Sequence, residues 1–182
     1  MQPFIKAKKT LFICIDVQER LLGLMAHKDE VIKNTNILLE SAQILKAPLL
    51  ITEQYPKGLG KTDNAIKLPP NAKVLEKTSF GIFGDKKIKD YIAKSKCKSL
   101  VFFGIESHIC VLQSVIAAQD LGYECILAAD ALSSRNEINH NLALDFFRTQ
   151  QGVNVLPTES ILFAILGDSM HASFKAISAL VK

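Results

Sequence analysis

Three residues suited to acid, base and nucleophile chemistry each follow an apolar run of this 182-residue chain. Asp16 closes the run "TLFICID", Lys77 follows "AKVLE", and Cys110 comes a few residues after "KSLVFFG". A thiol beside a carboxylate and an ammonium can act as a nucleophile, because the carboxylate can take the thiol proton and later activate water. A helix N-terminus and an ammonium both favour the thiolate, so we expect the pKa of Cys110 to lie below its usual value of about 8.5.

Each of these residues also has an ordinary structural interpretation. An aspartate after a strand often caps a helix, a loop lysine is usually solvated, and free cysteines are among the most buried residues. Cys110 is flanked by Ile109, Val111 and Leu112, which suits a core position. The case for chemistry therefore depends on whether the fold brings the three side chains together.

The apolar pattern predicts a chain that alternates between strands and helices. Strands are predicted at 10–16, 48–52, 72–76, 98–104, 124–130 and 153–157. Helices are predicted at 31–45, 85–95, 109–121, 136–150, 159–166 and 171–181, with Thr158 as an N-cap and Gly122 at a C-cap position. This order predicts a three-layer α/β/α doubly wound fold, with a six-stranded, mostly parallel sheet in a single domain spanning residues 1–182.

Parallel strands end at the same edge of a sheet, and doubly wound sheets bind ligands beyond that edge. Asp16, Lys77 and Cys110 all come at or shortly after predicted strand ends. We therefore expect an acid, a base and a thiol to converge there, which favours chemistry over three separate structural roles. Glu106 is unfavourable beside a thiolate, so its side chain must point away, pair with a cation or bind substrate.

Composition excludes several classes of protein. The net charge is 22 − 18 = +4, and the lysines are scattered rather than gathered on one face among aromatics, so no nucleic-acid partner is expected. No stretch reaches 18 charge-free apolar residues, so no membrane partner is expected. The N-terminus lacks the apolar core of a signal peptide.

The four cysteines indicate the redox compartment. They show neither a CxxC pair nor the spacing of a secreted disulfide scaffold, so we expect reduced thiols in a cytoplasmic protein. Cys14 and Cys125 lie in apolar strand patterns and are expected to be buried, whereas Cys97 is expected to be exposed.

The chain carries a series of motifs in a fixed order: "LFICIDVQERL", "ITEQYPKGLGKT", "LEKTSFGIF", "FGIESHICVLQS", "AADALSSRNE" and "LPTESILFAILGDSMHASFKAI". With these motifs the sequence resembles the isochorismatase-like cysteine hydrolases, and among them the isochorismatase domain-containing proteins. The resemblance implies a triad of Asp16, Lys77 and Cys110, the residues that the sheet-edge argument selects. It also implies a cis peptide between Ile105 and Glu106, which aims the backbone N–H groups of Glu106 and Cys110 into an oxyanion hole.

The reaction implied by the resemblance is hydrolysis of a small amide-like or related carbonyl substrate. The Cys110 thiol attacks the carbonyl carbon to form a thioester-type intermediate, which water hydrolyses, with Asp16 as the base and Lys77 supporting it. The alternative is a catalytically weak protein of the same fold that acts mainly as an interaction partner.

Two departures from the superfamily limit the implied chemistry. Nicotinamidases hold a metal with an Asp-x-His pattern after the second strand, but the corresponding loop here, "TEQYPKGLGKT", has no histidine. The four histidines show no ligand spacing, so we expect no metal and no other cofactor, and nicotinamide is not the expected substrate. Isochorismatase itself cleaves a vinyl ether without the nucleophilic cysteine, so Cys110 favours amide-type chemistry.

Secondary candidates lie near the predicted triad. Gln18 is expected to orient Asp16 or bind substrate, with a hydrogen bond at a helix start as the alternative. Phe80 is expected to wall the substrate pocket, with core packing as the alternative. Asp130 and Arg135 are expected to form a structural ion pair.

A homo-oligomer is also expected, because members of the resembled family commonly assemble. We expect the C-terminal apolar pattern around Leu162, Phe163 and Leu166 to exceed what one core needs and to contribute to assembly. The segment "YPKGLGKT" (55–62) looks like a phosphate-binding loop, but Tyr55 replaces its first glycine and Pro56 lacks an N–H. We therefore predict a substrate-covering or interface loop there.

Overall fold

Six parallel strands form one central sheet in the computed structural model, which describes residues 5–70 and 72–182. The strands are β1 (Thr10–Ile15), β2 (Leu49–Gln54), β3 (Lys73–Lys77), β4 (Ser99–Ile105), β5 (Glu124–Ser133) and β6 (Val153–Leu156). They lie in the order β3-β2-β1-β4-β5-β6, and every neighbouring pair is parallel. The predicted doubly wound α/β fold with a six-stranded sheet is therefore confirmed.

Eight α-helices in the described part of the chain connect or follow the strands: α1 (Glu19–Leu22), α2 (Lys28–Ile44), α3 (Pro56–Leu59), α4 (Lys86–Ser95), α5 (Leu112–Asp120), α6 (Glu137–Thr149), α7 (Thr158–Leu166) and α8 (Phe174–Leu180). A π-helical segment, Ser107–Val111, leads directly into α5. None of the helices in the described ranges combines the length and the apolar character that crossing a membrane requires.

Strand β1 is buried at all six positions, which explains its uninterrupted apolar sequence. Successive side chains of a strand point to opposite faces of the sheet. Phe12 and Cys14 therefore pack with α2, α7 and α8 on one face, whereas Leu11, Ile13 and Ile15 pack with α4, α5 and α6 on the other. These two cores give the predicted three layers.

Most predicted helix and strand limits agree with the structure to within three residues, but two details differ. Helix α7 begins at Thr158, whose side chain donates to Asp130 Oδ1 (2.7 Å), so the predicted N-cap role of Thr158 is wrong. The helix predicted from 109 starts instead as the π-helical segment from Ser107. Gly122 follows α5 with a φ of 80°, in agreement with its predicted place just beyond the helix end.

The C-terminal apolar pattern is accounted for by the core of a single chain. Leu162 and Leu166 are buried, and the ring of Phe163 packs edge-on against Phe174 at 5.9 Å between ring centres. The prediction that these positions carry more apolar surface than one core needs is therefore wrong, because α2 and α8 already cover them.

Gly104 sets the distance between β1 and β4 close to the carboxyl edge of the sheet. It pairs with Ile15, has a φ of 112°, and leaves so little room that a Cβ atom would lie 2.1 Å from Ile15 O. Only glycine fits this approach without moving a strand. The segments that follow β1 and β4 are thereby held side by side.

Candidate active site

Asp16 lies one residue beyond β1, in a left-handed backbone conformation with a φ of 54°. Aspartate is one of the few non-glycine residues enriched in this conformation. Its backbone N–H donates to Thr52 O (3.1 Å), and its Oδ1 accepts a hydrogen bond from Thr52 Oγ1 (2.7 Å). The turn away from β1 and the contact with β2 hold the carboxylate at the edge of the sheet.

Lys77 ends β3 and points its ammonium at the Asp16 carboxylate. The distance from Lys77 Nζ to Asp16 Oδ2 is 2.6 Å, and the two side chains are 0% and 1% exposed. Nζ also donates to Gln54 Oε1 (2.6 Å) and to the carbonyl oxygens of Ser79 (3.2 Å) and Phe80 (2.9 Å). A buried ammonium is stable only with such partners, so the interpretation of Lys77 as a solvated loop lysine is wrong.

Cys110 lies on the π-helical segment after β4 and is 8% exposed. Its thiol lies close enough to the Asp16 carboxylate and to the Lys77 ammonium for both charges to shift its pKa. The Cys110 carbonyl accepts a hydrogen bond from Ser114 Oγ, which in turn accepts one from the backbone N–H of Ile82. The structure therefore brings the three predicted residues together. Cys110 lies on a π-helical turn, which is rare in proteins generally but frequently found at functional sites.

The thiol of Cys110 is neutral at physiological pH. Burial raises its pKa to about 12, and the Asp16 carboxylate contributes in the same direction, whereas Lys77 acts to lower it. The predicted lowering of this pKa is wrong, because loss of solvent and the carboxylate together outweigh the ammonium. A reaction at Cys110 near neutral pH consequently needs a base, and Asp16 is positioned to take the proton.

The other three cysteines are also free and buried. Cys14 and Cys125 lie inside β1 and β5, as predicted, and burial raises the pKa of Cys125 to about 12 and raises that of Cys14 as well. Cys97 is only 6% exposed, so the prediction of an exposed thiol there is wrong.

The peptide bond between Ile105 and Glu106 is cis, as the family resemblance implied. The Glu106 side chain is 7% exposed, and its Oε2 accepts hydrogen bonds from Arg135 Nε (3.1 Å) and from the Arg135 backbone N–H (2.9 Å). Of the three alternatives for Glu106, pairing with a cation is the one observed. The predicted Asp130–Arg135 ion pair is wrong, since Asp130 Oδ1 instead accepts hydrogen bonds from the backbone N–H and Oγ1 of Thr158.

Gln18 is fully buried and links the end of β2 to the loop after α3. Its Nε2 donates to the carbonyl oxygens of Gln54 (3.0 Å) and Gly60 (2.6 Å), and its Oε1 accepts from the Gln54 backbone N–H (2.7 Å). Because Gln54 also holds the Lys77 ammonium, Gln18 positions the site through Gln54. Sequence reasoning missed Gln54, although its place at the end of a parallel strand was a usable signal; substrate binding by Gln18 stays a prediction.

Two aromatic residues adjoin the site. The ring of Phe80 is exposed, which excludes the core alternative, and the carbonyl of the same residue holds Lys77. Its role as a pocket wall stays a prediction. His108, two residues before Cys110, is half-buried, and its Nδ1 lies 2.9 Å from Ser134 Oγ.

Within residues 5–70 and 72–182, no three or more His, Cys, Asp or Glu side chains form a group that could hold a metal ion. Glu53, on β2, accepts hydrogen bonds at its Oε1 from the backbone N–H (2.7 Å) and from Oγ1 (2.8 Å) of Thr62. This carboxylate therefore fastens the loop 55–62, and independence from metal stays a prediction.

Known proteins match this chain over most of its length. Residues 10–160 match the family described as Isochorismatase domain. Isochorismatase domain-containing protein 1 of Salmo salar is 34% identical over 173 residues, which cover 95% of this chain and 61% of that protein. Isochorismatase family protein 1B of Dictyostelium discoideum is 34% identical over 177 residues, which cover 94% of this chain and 85% of that protein.

Solved structures share the same architecture. A hypothetical protein from Trypanosoma cruzi has a TM-score of 0.94 at 30% identity, covering 100% of this chain and 96% of its own. A protein described as the MAR1 ribonuclease of Caenorhabditis elegans has a TM-score of 0.89 at 29% identity, and the match covers 97% of this chain and 91% of that protein's chain. The YcaC product of Escherichia coli, described as an octameric hydrolase of unknown specificity, shares the fold with a TM-score of 0.83 at 18% identity. That match covers 99% of this chain and 91% of the YcaC chain. By sequence match and by fold, this chain belongs to the isochorismatase family and has its hydrolase fold.

Proposed function

We propose that this chain is a metal-independent cysteine hydrolase of a small amide-like or related carbonyl substrate. The observation that carries the proposal is the buried Asp16–Lys77 pair at the carboxyl edge of the sheet, placed near enough to the Cys110 thiol for both charges to act on it. Membership of the isochorismatase family supports a hydrolase role of a general kind. The proposed catalytic residues are Asp16, Lys77 and Cys110.

The first half of the proposed reaction forms a covalent intermediate. Asp16 takes the proton from Cys110 Sγ while the sulfur bonds to the substrate carbonyl carbon, so no free thiolate of high basicity has to accumulate. The tetrahedral intermediate collapses with restoration of the carbonyl and cleavage of the C–N bond. Asp16 returns the proton to the departing amine, and a thioester on Cys110 remains.

The second half of the proposed reaction restores the thiol. Asp16 takes a proton from water as the water oxygen bonds to the thioester carbon. The C–S bond then breaks, the acid product leaves, and the proton held by Asp16 returns to the Cys110 sulfur. Asp16 thus acts twice as a base and twice as an acid, and the protein ends in its starting state.

Lys77 is proposed to act as a fixed positive charge. Its four oxygen contacts hold it beside Asp16, so it can keep the carboxylate in place and offset negative charge as the thiol proton is lost. The backbone N–H groups of Glu106 and Cys110 are the proposed donors to the substrate oxyanion, and loss of one such donor typically costs about 3–4 kcal/mol of transition-state stabilisation. Arg135 offsets the charge of Glu106 beside them.

The proposed substrate pocket lies on the solvent side of these residues. The exposed ring of Phe80 suits a wall for the apolar part of a small substrate. Gln18 supports substrate binding indirectly, by holding Gln54 and the loop after α3. A cytoplasmic location is part of the proposal, because four free thiols suit a reducing compartment.

The experiment that tests this function is a substrate screen with trapping of the intermediate. Purified protein is incubated with small amides, carbamoyl compounds and esters, and the intact mass is measured during turnover. We expect release of amine or alcohol and a transient acyl adduct on the peptide that contains Cys110. The Cys110→Ser and Asp16→Asn variants should lose both signals, whereas Cys97→Ala, which changes a buried thiol outside the site, should keep them.

A lack of turnover and of any adduct across the panel would contradict the proposal and favour the alternative, a catalytically weak interaction partner. Single-stranded RNA belongs in the same panel, because a structurally similar protein from Caenorhabditis elegans is described as a ribonuclease. RNA cleavage that survives Cys110→Ser would also count against the proposed mechanism, since the thioester route requires the thiol.

A further inference from the structure

A pocket opens on the face of β2 and β3 that is turned away from the candidate active site. Gln54 and Lys77, at the ends of these strands, point to the candidate active site. Side chains of a strand alternate between its two faces, so the preceding residues, Glu53 and Glu76, point to the opposite face. These two glutamates are register partners on the neighbouring strands. Together with Glu19 they line a pocket with a volume of about 450 Å³.

Glu53 is the carboxylate of this pocket that most needs a partner. It is only 6% exposed, and its Oε1 accepts both of the hydrogen bonds that Thr62 donates. No donor in the described part of the chain reaches its Oε2, so this oxygen is available to a ligand in the pocket. Carboxylates are rarely buried unless they are paired. The free oxygen of Glu53 therefore marks a place for a positively charged group.

The pocket concentrates negative charge, although the net charge of the chain is +4. Its lining contains the carboxylates of Glu19, Glu53 and Glu76 against the single ammonium of Lys61. The ion pairs found within residues 5–70 and 72–182 involve none of these four side chains. Like charges on neighbouring strands repel each other, and a bound cation relieves that repulsion.

The arrangement of the carboxylates fits an extended organic cation better than a single metal ion. No three His, Cys, Asp or Glu side chains of the described ranges form a group that could hold a metal ion, so the three carboxylates do not meet at one point. Leu68 and Val74 add an apolar wall to the pocket. A primary ammonium donates up to three hydrogen bonds, and a methylene chain attached to it can cover the apolar wall. A second ammonium at the far end of that chain then meets another carboxylate.

We propose that this pocket binds a small linear diamine. One ammonium binds Oε2 of the buried Glu53, and the other binds the exposed carboxylates of Glu19 and Glu76. The site is separate from the Cys110 site, so the proposal goes beyond the hydrolase function and does not depend on it.

The diamine site is connected to the loop 55–62. Thr62, which donates to Glu53, also forms an isolated antiparallel bridge with Gln18. Gln18 in turn holds the carbonyl of Gly60. A ligand that fixes the Glu53 carboxylate therefore also restrains this loop.

Isothermal titration calorimetry with 1,4-diaminobutane at low ionic strength tests the proposal. We expect binding at least about tenfold tighter than that of 1-aminobutane, which lacks the second ammonium. Glu53→Gln keeps an acceptor for Thr62 but removes the charge, so it should weaken diamine binding at least about tenfold. Glu76→Gln, at an exposed position that does not put the fold at risk, should weaken it at least about threefold. Asp145→Asn is the matched control, because Asp145 is 70% exposed on α6, on the other face of the sheet, and it should bind like the wild type.

Two further measurements locate the ligand. Lys61→Met removes the cation of the pocket from an exposed side chain, so it should tighten diamine binding at least about twofold. Hydrogen exchange followed by mass spectrometry should show slower exchange in residues 53–68 and 73–77 when 1,4-diaminobutane is added, and no change in α6.

Four outcomes would overturn the proposal. Absence of binding to the wild type, or equal affinity of the wild type and Glu53→Gln, would remove the site. Equal affinity for 1-aminobutane would remove the requirement for two ammonium groups. Calcium or magnesium chloride that displaces the diamine at equal concentration, and that Glu53→Gln no longer binds, would identify a metal-ion site instead.

Discussion

The ammonium of Lys77 lies 2.6 Å from Asp16 Oδ2, although β2 separates β3, which carries Lys77, from β1, which Asp16 follows. Both side chains are removed from solvent, and the neighbours that complete their hydrogen bonds, Thr52 and Gln54, come from the intervening strand. Breaking a buried ion pair by removing one partner is costly, because a charge is then left buried without compensation. The pair therefore links three strands as well as serving the site.

Replacement of Lys77 by methionine should lower the free energy of unfolding by about 3–5 kcal/mol, since the Asp16 carboxylate loses its cation. Urea unfolding followed by circular dichroism measures the change. Lys86→Met is the control, because Lys86 pairs with Asp90 on the exposed face of α4 and its removal should hardly move the urea midpoint. Indistinguishable midpoints for the two variants would show that the buried pair does not stabilise the fold.

Alkylation of Cys110 should be slow at pH 7 and accelerate about tenfold per pH unit toward the pKa of about 12, because only the thiolate reacts. Asp16→Asn removes a charge that raises this pKa and leaves Lys77, which lowers it. The variant should therefore be alkylated faster at pH 7, by about tenfold for each unit that the pKa falls, while turnover is lost. Peptide mass spectrometry measures the labelling. Slower labelling of the variant would contradict the conclusion that Asp16 raises the pKa of Cys110.

Stability should decline as the pH rises above about 8.5, because buried thiols hold their protons more tightly than unfolded ones. The pKa values of Cys14, Cys110 and Cys125 are all raised in the fold. A raised pKa favours the folded state below the unfolded value, and this contribution is lost as the pH increases toward the folded value. Each thiol accounts for about 1.4 kcal/mol per pH unit in that window.

Urea midpoints from pH 7 to pH 10 measure this dependence. Cys125→Ala removes one of the three thiols, so the free energy of unfolding should fall less steeply with pH, by about 1.4 kcal/mol per pH unit. The smaller side chain also lowers stability at every pH, which does not change the slope. A slope that stays the same in the variant would mean that Cys125 ionises equally in both states.

Gly104→Ala should destabilise the fold by about 3 kcal/mol or more, because the new Cβ would lie 2.1 Å from Ile15 O and force β4 away from β1. The segments that carry Asp16 and Cys110 would separate as a result. Gly122→Ala is the matched control: it also has a positive φ, of 80°, but no heavy atom lies within 4 Å, so only the conformational cost of about 1–2 kcal/mol is expected. Thermal unfolding compares the stability of the two variants. Equal losses of stability would show that the distance between β1 and β4 can adjust to the added Cβ atom.

The sheet and the three residues at its edge could be predicted from sequence because both depend on local patterns. Runs such as 10–15 are apolar at every position only when both faces are covered, and parallel strands have one common carboxyl edge. The rule placed Asp16, Lys77 and Cys110 together without information on their contacts. The cis bond at Ile105 followed from the family resemblance and not from any local pattern.

What the sequence did not predict depends on distant contacts and on solvent exclusion. Arg135 could pair with Asp130 five residues away, yet it contacts Glu106, 29 residues away in sequence. The π-helical segment before α5 spans five residues, which is about one turn and too short for a repeat of apolar residues to reveal it. The raised pKa of Cys110 depends on burial, whereas sequence reasoning weighed only the nearby charges.

Strand β3, which carries Lys77, is at the edge of the sheet and, among the strands of residues 5–70 and 72–182, pairs with β2 alone. Its first four residues, 73–76, are partly or fully exposed, unlike the wholly buried β1. Elements with few buried contacts open at lower free-energy cost than central strands, so β3 amides should exchange with deuterium earlier than those of β1. Mild denaturant or warming should accordingly detach β3 and remove the Lys77 ammonium from the site while the rest of the sheet stays folded. Activity would then be lost through local unfolding of β3, well before the whole protein unfolds.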